Sequence, residues 1–332
     1  MEYLRYSVLE FSINFYRCPI YKELNGFYFI KKYYPVADLI FTKRLLNKFG
    51  LLVFRYEKSV GDNTGLLIDL LANNEVVYDA ELRKILLMFK NVFVRTLCKD
   101  FYTASDIFFR DRVATRVEKF YSRGFKEKYF NSLFCINGYK TRLDSGQITD
   151  GIVGFFKNKT KKWCIASQCD PTDLNIGIKP IVFDYLVGGL NPLMAEFATF
   201  FWQNLLQGNY LSPIYYPRVF REHDKVFKQI DKISYENGDI THELSTKRVN
   251  FICDYIDLVL KPVLIGVHYP DWYNDFKNFL AVRILGVTDL NIMTEKDRNI
   301  SLAYLSLFYN LNIKDIDALR TFVKNLCQWE KR

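Results

Sequence analysis

The sequence lacks the short motifs that identify common classes of enzyme and nucleotide-binding protein. It contains no Gly-x-x-x-x-Gly-Lys-Ser/Thr loop, no Gly-x-Gly-x-x-Gly turn after a strand, no His-Glu-x-x-His pair and no Gly-x-Ser-x-Gly elbow. Histidine is scarce, with 3 residues, and His223 between Glu222 and Asp224 is better interpreted as a surface residue, because helix neighbours point about 100° apart. We therefore predict no catalytic residues and no cofactor.

Long hydrophobic runs are also absent. The most apolar stretch, 251–267, is interrupted by Asp254, Asp257, Lys261 and Pro262, so no membrane-spanning segment is predicted. The first residues lack the basic and apolar regions of a signal peptide. These absences predict an intracellular protein of the cytoplasm or nucleus, in a reducing compartment and without secreted partners.

Cysteine is too sparse for a disulfide scaffold. The 7 cysteines are odd in number and spread over the whole chain. Cys164 and Cys169, with Cys135 as a third ligand, are the nearest approach to a zinc site, but structural zinc sites more often have a two-residue gap between cysteines. We therefore predict free buried thiols and no metal site.

Aromatic residues, in contrast, are abundant. Phe 29 and Tyr 23 bring the aromatic share of the 332 residues to 17%, against only Gly 16 and Pro 9. Both aromatic residues have AT-rich codons, so we interpret part of this excess as the composition of an AT-rich genome, such as that of a virus or parasite. Hydrophobic residues at 49% and charged residues at 25% are typical of a folded globular chain.

The distribution of apolar and turn residues predicts an α+β fold. We expect a mixed α/β N-terminal part over 1–125, a β-rich antiparallel meander over 126–189 and a helical C-terminal half over 190–332, in one compact body or in tightly packed lobes. No internal repeat is visible. The main local predictions are a helix after Pro35 that ends at Gly50, a hairpin turn at Asn137-Gly138, a turn at Asp144-Ser145-Gly146, and helices over 218–234 and 241–260.

Two cation stripes dominate the charge pattern of this chain, whose formal net charge is +9. A 4-3-4 spacing places four side chains on one face of an α-helix. The first stripe consists of Arg112, Arg116, Lys119 and Arg123, and the second of Arg221, Lys225, Lys228 and Lys232. Neither predicted face carries an acid, so both are suited to phosphate groups.

A third basic cluster is predicted on a strand. Alternation along that strand would place Lys157, Lys159 and Lys161 on one face. The neighbouring aromatic residues that we expect to stack on bases are Phe155, Phe156 and Trp163.

These observations favour a basic nucleic-acid-associated protein of nucleoprotein or packaging type. It would bind RNA or DNA backbones without strong sequence preference. The alternative is a structural or assembly protein, such as a capsid or complex subunit, that associates with itself through aromatic surface. An enzyme with a dispersed acidic site, such as a nuclease, ranks third. Convergence of the basic clusters on one surface would favour nucleic-acid binding over assembly.

Overall fold

The computed structural model confirms the predicted α+β class, with helices, antiparallel sheets and a helical C-terminal half among the residues that it describes. It describes residues 9–11, 19–45, 49–55, 65–72, 79–102, 104–118, 124–129, 131–207, 232–287, 289–291 and 293–327. In chain order, the strands of these ranges are Leu9–Phe11 (β1), Asp38–Leu45 (β2), Phe49–Arg55 (β3), Cys98–Asp100 (β4), Ser132–Ile136 (β5), Tyr139–Leu143 (β6), Lys162–Ser167 (β7), Ile176–Gly177 (β8), Ile181–Val182 (β9), Gly189–Pro192 (β10), Lys232–Glu236 (β11) and Asp239–Glu243 (β12).

The helices of the same ranges lie between and after these strands. They are Pro19–Ile30 (α1), Leu67–Ala72 (α2), Asp79–Thr96 (α3), Asp106–Arg112 (α4), Gly124–Tyr129 (α5), Ser145–Lys157 (α6), Leu193–Phe201 (α7), Thr246–Tyr255 (α8), Lys261–Ile265 (α9), Trp272–Val282 (α10), Glu295–Asn310 (α11) and Ile316–Cys327 (α12). Short π-helical segments follow four of them, at Val113–Glu118, Trp202–Gln207, Ile256–Leu260 and Arg283–Val287.

The chain forms two compact units, and each unit is built from separated segments. The first unit comprises Met1–Ser105 and Lys162–Glu196, and the second comprises Asp106–Lys161 and Phe197–Arg332. The segment 106–161 therefore leaves the first unit after β4, and the chain returns to that unit at β7. The three-part division along the sequence stays a prediction.

The first unit contains sheets of order β1-β3-β2 and β10-β7-β4 and the β8-β9 pair. The helix predicted after Pro35 is wrong, because residues 38–45 form β2 and pair with β3 from Asp38↔Arg55 to Leu45↔Phe49. Its β-branched and aromatic residues fit a pleated sheet better than a helix. Helix α1 packs closely in this unit, since a Cβ at Gly26 would overlap the carbonyl oxygen of Tyr185.

The hairpin predicted in the second unit is confirmed. Asn137 and Gly138 have φ angles of 47° and 80° between β5 and β6, as a turn with two positive φ values requires. The central stretch contains antiparallel strands, as predicted, but the turn expected at residues 144–146 is the start of α6. The Asp144 side chain caps this helix by accepting a hydrogen bond from the Gln147 amide at 2.8 Å.

A second Asn-Gly hairpin lies where helices were predicted. Asn237 and Gly238 have φ angles of 49° and 94° and join β11 to β12. The predictions of helix over 232–234 and over 241–243 are therefore wrong, and α8 begins only at Thr246. Alternation along these short strands is weaker than the helical period of the residues after them, so the helical pattern masked the turn signal.

The two hairpins make an internal repeat, which the sequence analysis missed. Each copy consists of a strand of 5 residues, an Asn-Gly turn, another strand of 5 residues and a helix. The turns Asn137-Gly138 and Asn237-Gly238 lie about one hundred positions apart, and Thr141 and Ser145 of the first copy correspond to threonine and serine in the second. Because the two copies share so few residues, the repeat is recognised from the secondary structure and not from the sequence.

The two copies join into one sheet of order β11-β12-β5-β6. Their contact is the parallel pairing of β12 with β5, at Asp239↔Cys135 and Ile240↔Ile136. The Asn137 side chain extends this ladder, because its amide donates to the His242 carbonyl at 2.9 Å and its oxygen accepts from the His242 amide at 2.8 Å. One side chain thus forms the turn of the first copy and binds the second.

Candidate nucleic-acid interface

The helix that carries the first cation stripe belongs to the second unit. It runs over Asp106–Arg112 and continues as the π-helical segment Val113–Glu118. Phe109, Val113 and Val117 are buried, as their spacing predicts. Aromatic contacts hold this face, with the Phe109 ring centroid 5.1 Å from that of Phe279.

The first two stripe residues are only partly available to a ligand. Arg112 is half-buried and its guanidinium lies 5.2 Å from the centre of the Phe108 ring. Arg116 is also half-buried and donates to the Val287 carbonyl at 3.3 Å. The helix lies against the chain at Gly286, where a Cβ would come within 3.1 Å of Arg112 Cβ. Phosphate binding by Arg112 and Arg116 stays a prediction.

The π-helical geometry explains part of this difference. A stripe at 4-3-4 spacing assumes the α-helical rotation per residue, whereas a π-helix bonds residue i to i+5 and has more residues per turn. Arg116 lies within the π-helical segment, so the spacing no longer places it directly above Arg112. Lys119 and Arg123, the other members of the stripe, lie outside the described residues.

The third cluster does not lie on a strand. Lys157 ends α6, and Lys159 and Lys161 follow in an irregular segment before β7, so the predicted alternation is wrong. All three are exposed. Residues 148–156 bury one face of an amphipathic helix and do not alternate between buried and exposed positions as a strand would. The three lysines therefore lie at and after the end of a helix.

Two of the aromatic residues near this cluster pack against the same phenylalanine ring. Phe156 is 4% exposed, and its ring centroid lies 5.5 Å from that of Phe279. Phe155 is half-buried and contacts the same ring at 5.5 Å. Trp163 belongs to β7 of the first unit. The prediction of base stacking is therefore wrong for Phe156, whose ring packs in the core, and for Phe155 and Trp163 it stays a prediction.

Ion pairs join the third cluster to the helix that carries the first stripe. Lys159 Nζ lies 3.6 Å from Asp106 Oδ2, and Lys157 Nζ lies 3.9 Å from Glu118 Oε1. Since Asp106 and Glu118 are the two ends of the helical stretch, Lys157 and Lys159 lie alongside it, and Lys161 follows two positions after Lys159. We call the cations of these two segments the basic surface, and they are Arg110, Arg112, Arg116, Lys157, Lys159 and Lys161.

The basic surface is not free of acids. Asp106 accepts a hydrogen bond from Arg110 Nε at 2.8 Å and also pairs with Lys159. The same segments contain three acids beside the six cations, namely Asp106, Asp111 and Glu118. The net charge of the two segments is therefore positive. Arg110, whose side chain is 41% exposed, was missed because it lies off the stripe; its signal in the sequence is the i,i+4 spacing from Asp106.

The second stripe falls almost wholly outside the described part of the chain. Arg221, Lys225 and Lys228 are not among the described residues. Lys232 is described, but it begins β11, so its predicted place on a helical face is wrong. The structure thus places Lys157 and Lys159 beside the helix that carries the first stripe, and the position of the second stripe stays a prediction.

The described histidines differ in environment. His268 is exposed, whereas His242 is 2% exposed and its Nδ1 lies 2.7 Å from the Tyr304 hydroxyl. Burial lowers the pKa of His242 to about 3, and the positive charge of Arg248 lowers it further in the same direction. His242 is therefore neutral at pH 7 and has no access to a substrate at the surface. His223 lies outside the described residues.

No metal-binding group was found in the described ranges, where no three or more His, Cys, Asp and Glu side chains are placed to hold an ion. Cys164 and Cys169 are buried and form no disulfide among the described residues; both belong to the first unit, while Cys135 belongs to the second. Within the same ranges no helix is long and apolar enough to cross a membrane. Comparison of the chain with protein-family models, curated proteins and solved structures gave no match.

Proposed function

We propose that the protein binds the phosphate backbone of nucleic acids through the basic surface, as an intracellular nucleoprotein or packaging protein. The observation that carries this proposal is the position of Lys157 and Lys159 beside residues 106–118, where Lys159 Nζ lies 3.6 Å from Asp106 Oδ2 and Lys157 Nζ lies 3.9 Å from Glu118 Oε1. A net formal charge of +9 adds a long-range attraction for polyanions.

The ion pairs within the basic surface do not prevent phosphate binding. The Lys157 and Lys159 side chains are 71% and 49% exposed, so a phosphate in solution can reach both. The Lys157–Glu118 pair is exposed on both sides and contributes about 0–1 kcal/mol. The Asp106 carboxylate is buried, but it also accepts a hydrogen bond from Arg110, which remains when Lys159 leaves it. A phosphate carries a full charge and several acceptor oxygens, so it can replace a carboxylate at these lysines at little cost.

Charge reversal tests the proposal. The double variant Lys157→Glu/Lys159→Glu should bind a generic single-stranded oligonucleotide on the order of 10- to 100-fold more weakly at about 0.1 M salt, because two phosphate contacts are lost. The slope of log affinity against log salt should flatten by about 1.4, at about 0.7 per contact on a single strand. Fluorescence anisotropy over a salt series measures both quantities.

A matched control separates a site from a general charge effect. Lys84 and Lys179 are exposed lysines of the first unit, and Lys84→Glu/Lys179→Glu makes the same change in net charge. This control should bind within about threefold of the original protein. Equal weakening of the two double variants would show that binding follows net charge alone and would contradict a role for the basic surface.

Self-association is the second candidate function, and exposed apolar side chains in the first unit favour it. Ile40 and Phe41 are 56% and 44% exposed on β2, which is an edge strand of its sheet among the described strands. Edge strands with apolar side chains are templates for pairing with another chain. Light scattering on the nucleic-acid-free protein distinguishes the two candidates: a discrete oligomer without oligonucleotide affinity would favour assembly.

A further inference from the structure

Two cysteines lie directly opposite each other in the first unit. Strands β4 and β7 are antiparallel, and their register pairs Cys98 with Cys164. Directly opposite residues of an antiparallel pair have Cα atoms about 4.5–5.5 Å apart and point to the same face of the sheet. This separation falls within the roughly 4.4–6.8 Å that a disulfide bond spans.

The two thiols differ in accessibility. Cys98 is half-buried, whereas Cys164 is fully buried. Burial raises the pKa of Cys164 to about 12, and the neighbouring Cys98 adds to this rise. Burial also raises the pKa of Cys98, with Asp100 as a second cause. Since the thiolate is the reactive form, exchange at this pair is slow and begins at Cys98.

The two cysteines flank the segment that leaves the first unit and returns to it. Cys98 precedes Ser105, the last residue before the chain enters the second unit, and Cys164 follows Lys162, the first residue after its return. A bond between these cysteines would therefore close a loop that contains all of segment 106–161. That loop includes every residue of the basic surface.

We propose that Cys98 and Cys164 form a reversible disulfide that ties together the two chain passages flanking segment 106–161. The Cys98 thiolate attacks a low-molecular-weight disulfide, such as oxidised glutathione, and releases one glutathione thiol while a mixed disulfide forms. Cys164 then attacks the Cys98 sulfur and releases the second glutathione. The protein loses two thiol protons and two electrons, and oxidised glutathione is reduced to two glutathione thiols.

The disulfide changes the stability of the first unit. Crosslinking two strands of one sheet restricts the unfolded chain, and the long intervening segment makes this restriction large in the chain-entropy model. In a reducing compartment the pair rests as thiols, and the crosslink forms as the oxidised fraction of glutathione rises. The inference rests on the register of β4 and β7 and is independent of nucleic-acid binding.

Peptide mapping tests this proposal on the intact protein. The protein is incubated for hours in glutathione buffers of increasing oxidised fraction, remaining thiols are alkylated, and the chain is digested without reduction. We expect the peptides that contain Cys98 and Cys164 to appear crosslinked, and the melting temperature to rise by several degrees. Cys135 and Cys253, which belong to the second unit, should remain unlinked to either cysteine.

Two variants identify the order of the reaction. Cys164→Ser should stop at a mixed disulfide on Cys98, and Cys98→Ser should leave Cys164 unmodified because it is buried. Circular dichroism checks that both variants fold, and the mapping of the unsubstituted protein decides the question if either does not. Alkylated thiols at both positions in fully oxidised buffer, or glutathione retained on Cys98 without a crosslink, would overturn the proposal.

Discussion

Replacing Asn137 by glycine should destabilise the second unit by about 2–4 kcal/mol. Glycine adopts a positive φ readily, so the turn itself is kept. The stability is lost because the Asn137 side chain is 3% exposed and makes three hydrogen bonds to backbone groups. Its amide donates to the carbonyls of His242 at 2.9 Å and of Leu326 at 2.7 Å, and its oxygen accepts from the His242 amide. Each buried backbone group left unpaired costs about 1 kcal/mol or more.

The internal repeat supplies the control for this substitution. Asn237 occupies the same turn position in the second copy with a φ of 49°. Its side chain is exposed, and it makes no hydrogen bond to another residue of the described part of the chain. Asn237→Gly makes the same change in the unfolded chain, so its effect should stay within about 0.5 kcal/mol. Urea unfolding of both variants measures the difference. Equal losses would show that Asn137 acts only through its turn.

Glu196 should make the stability of the first unit fall as the pH rises through neutrality. This carboxyl group is fully buried, and burial raises its pKa from 4.5 to about 8. The Ser167 side chain and the Cys169 backbone amide act against this rise, and the charge of Asp170 adds to it. Glu196 is therefore largely protonated at pH 7 in the folded protein and ionised in the unfolded chain.

The sign of the pH dependence follows from the bound protons. Between pH 4.5 and 8 the folded state holds a proton that the unfolded state has lost, so unfolding releases it and stability decreases with pH. His242 has the opposite effect, which fades as the pH rises above its ordinary pKa of 6.5. Between pH 6.5 and 8 the effect of Glu196 is therefore the larger. We expect a net loss of about 1–2 kcal/mol over that interval, since each pH unit contributes at most about 1.4 kcal/mol.

Glu196→Gln provides the comparison. Glutamine keeps the shape of the protonated acid and does not titrate, so the variant should lose this part of the pH dependence and exceed the original protein in stability at pH 8. Chemical denaturation at several pH values gives the two curves. Parallel curves for the two proteins would contradict the raised pKa of Glu196.

Sequence patterns predicted those elements whose signal is local. The Asn137-Gly138 turn was predictable because two positive φ values in sequence require such residues. The equivalent turn at Asn237-Gly238 carries the same signal, yet the helical period of the following residues obscured it. Residues 145–157 contain glycines that resemble turns, but Gly151 lies on a helix against the Tyr309 hydroxyl, which a Cβ there would overlap.

The candidate site was less predictable than the fold, because its geometry depends on tertiary contacts. The sequence indicated Lys157 and Lys159 as basic residues, but only the packing of α6 beside residues 106–118 places them near Asp106 and Glu118. The π-helical turn that moves Arg116 against the Val287 carbonyl has no recognisable sequence pattern. Ion pairs between distant segments likewise leave no local trace.

The central claim is that the protein recognises backbone charge, and an uncharged backbone tests it most directly. Binding is measured at low salt to one oligonucleotide sequence in two forms, one with native phosphates and one with methylphosphonate linkages. If the basic surface binds phosphate, affinity for the native form should exceed that for the neutral form by more than about 100-fold, since counterion release is lost with the charge. Equal affinity for the two forms, or no affinity for either, would contradict the account.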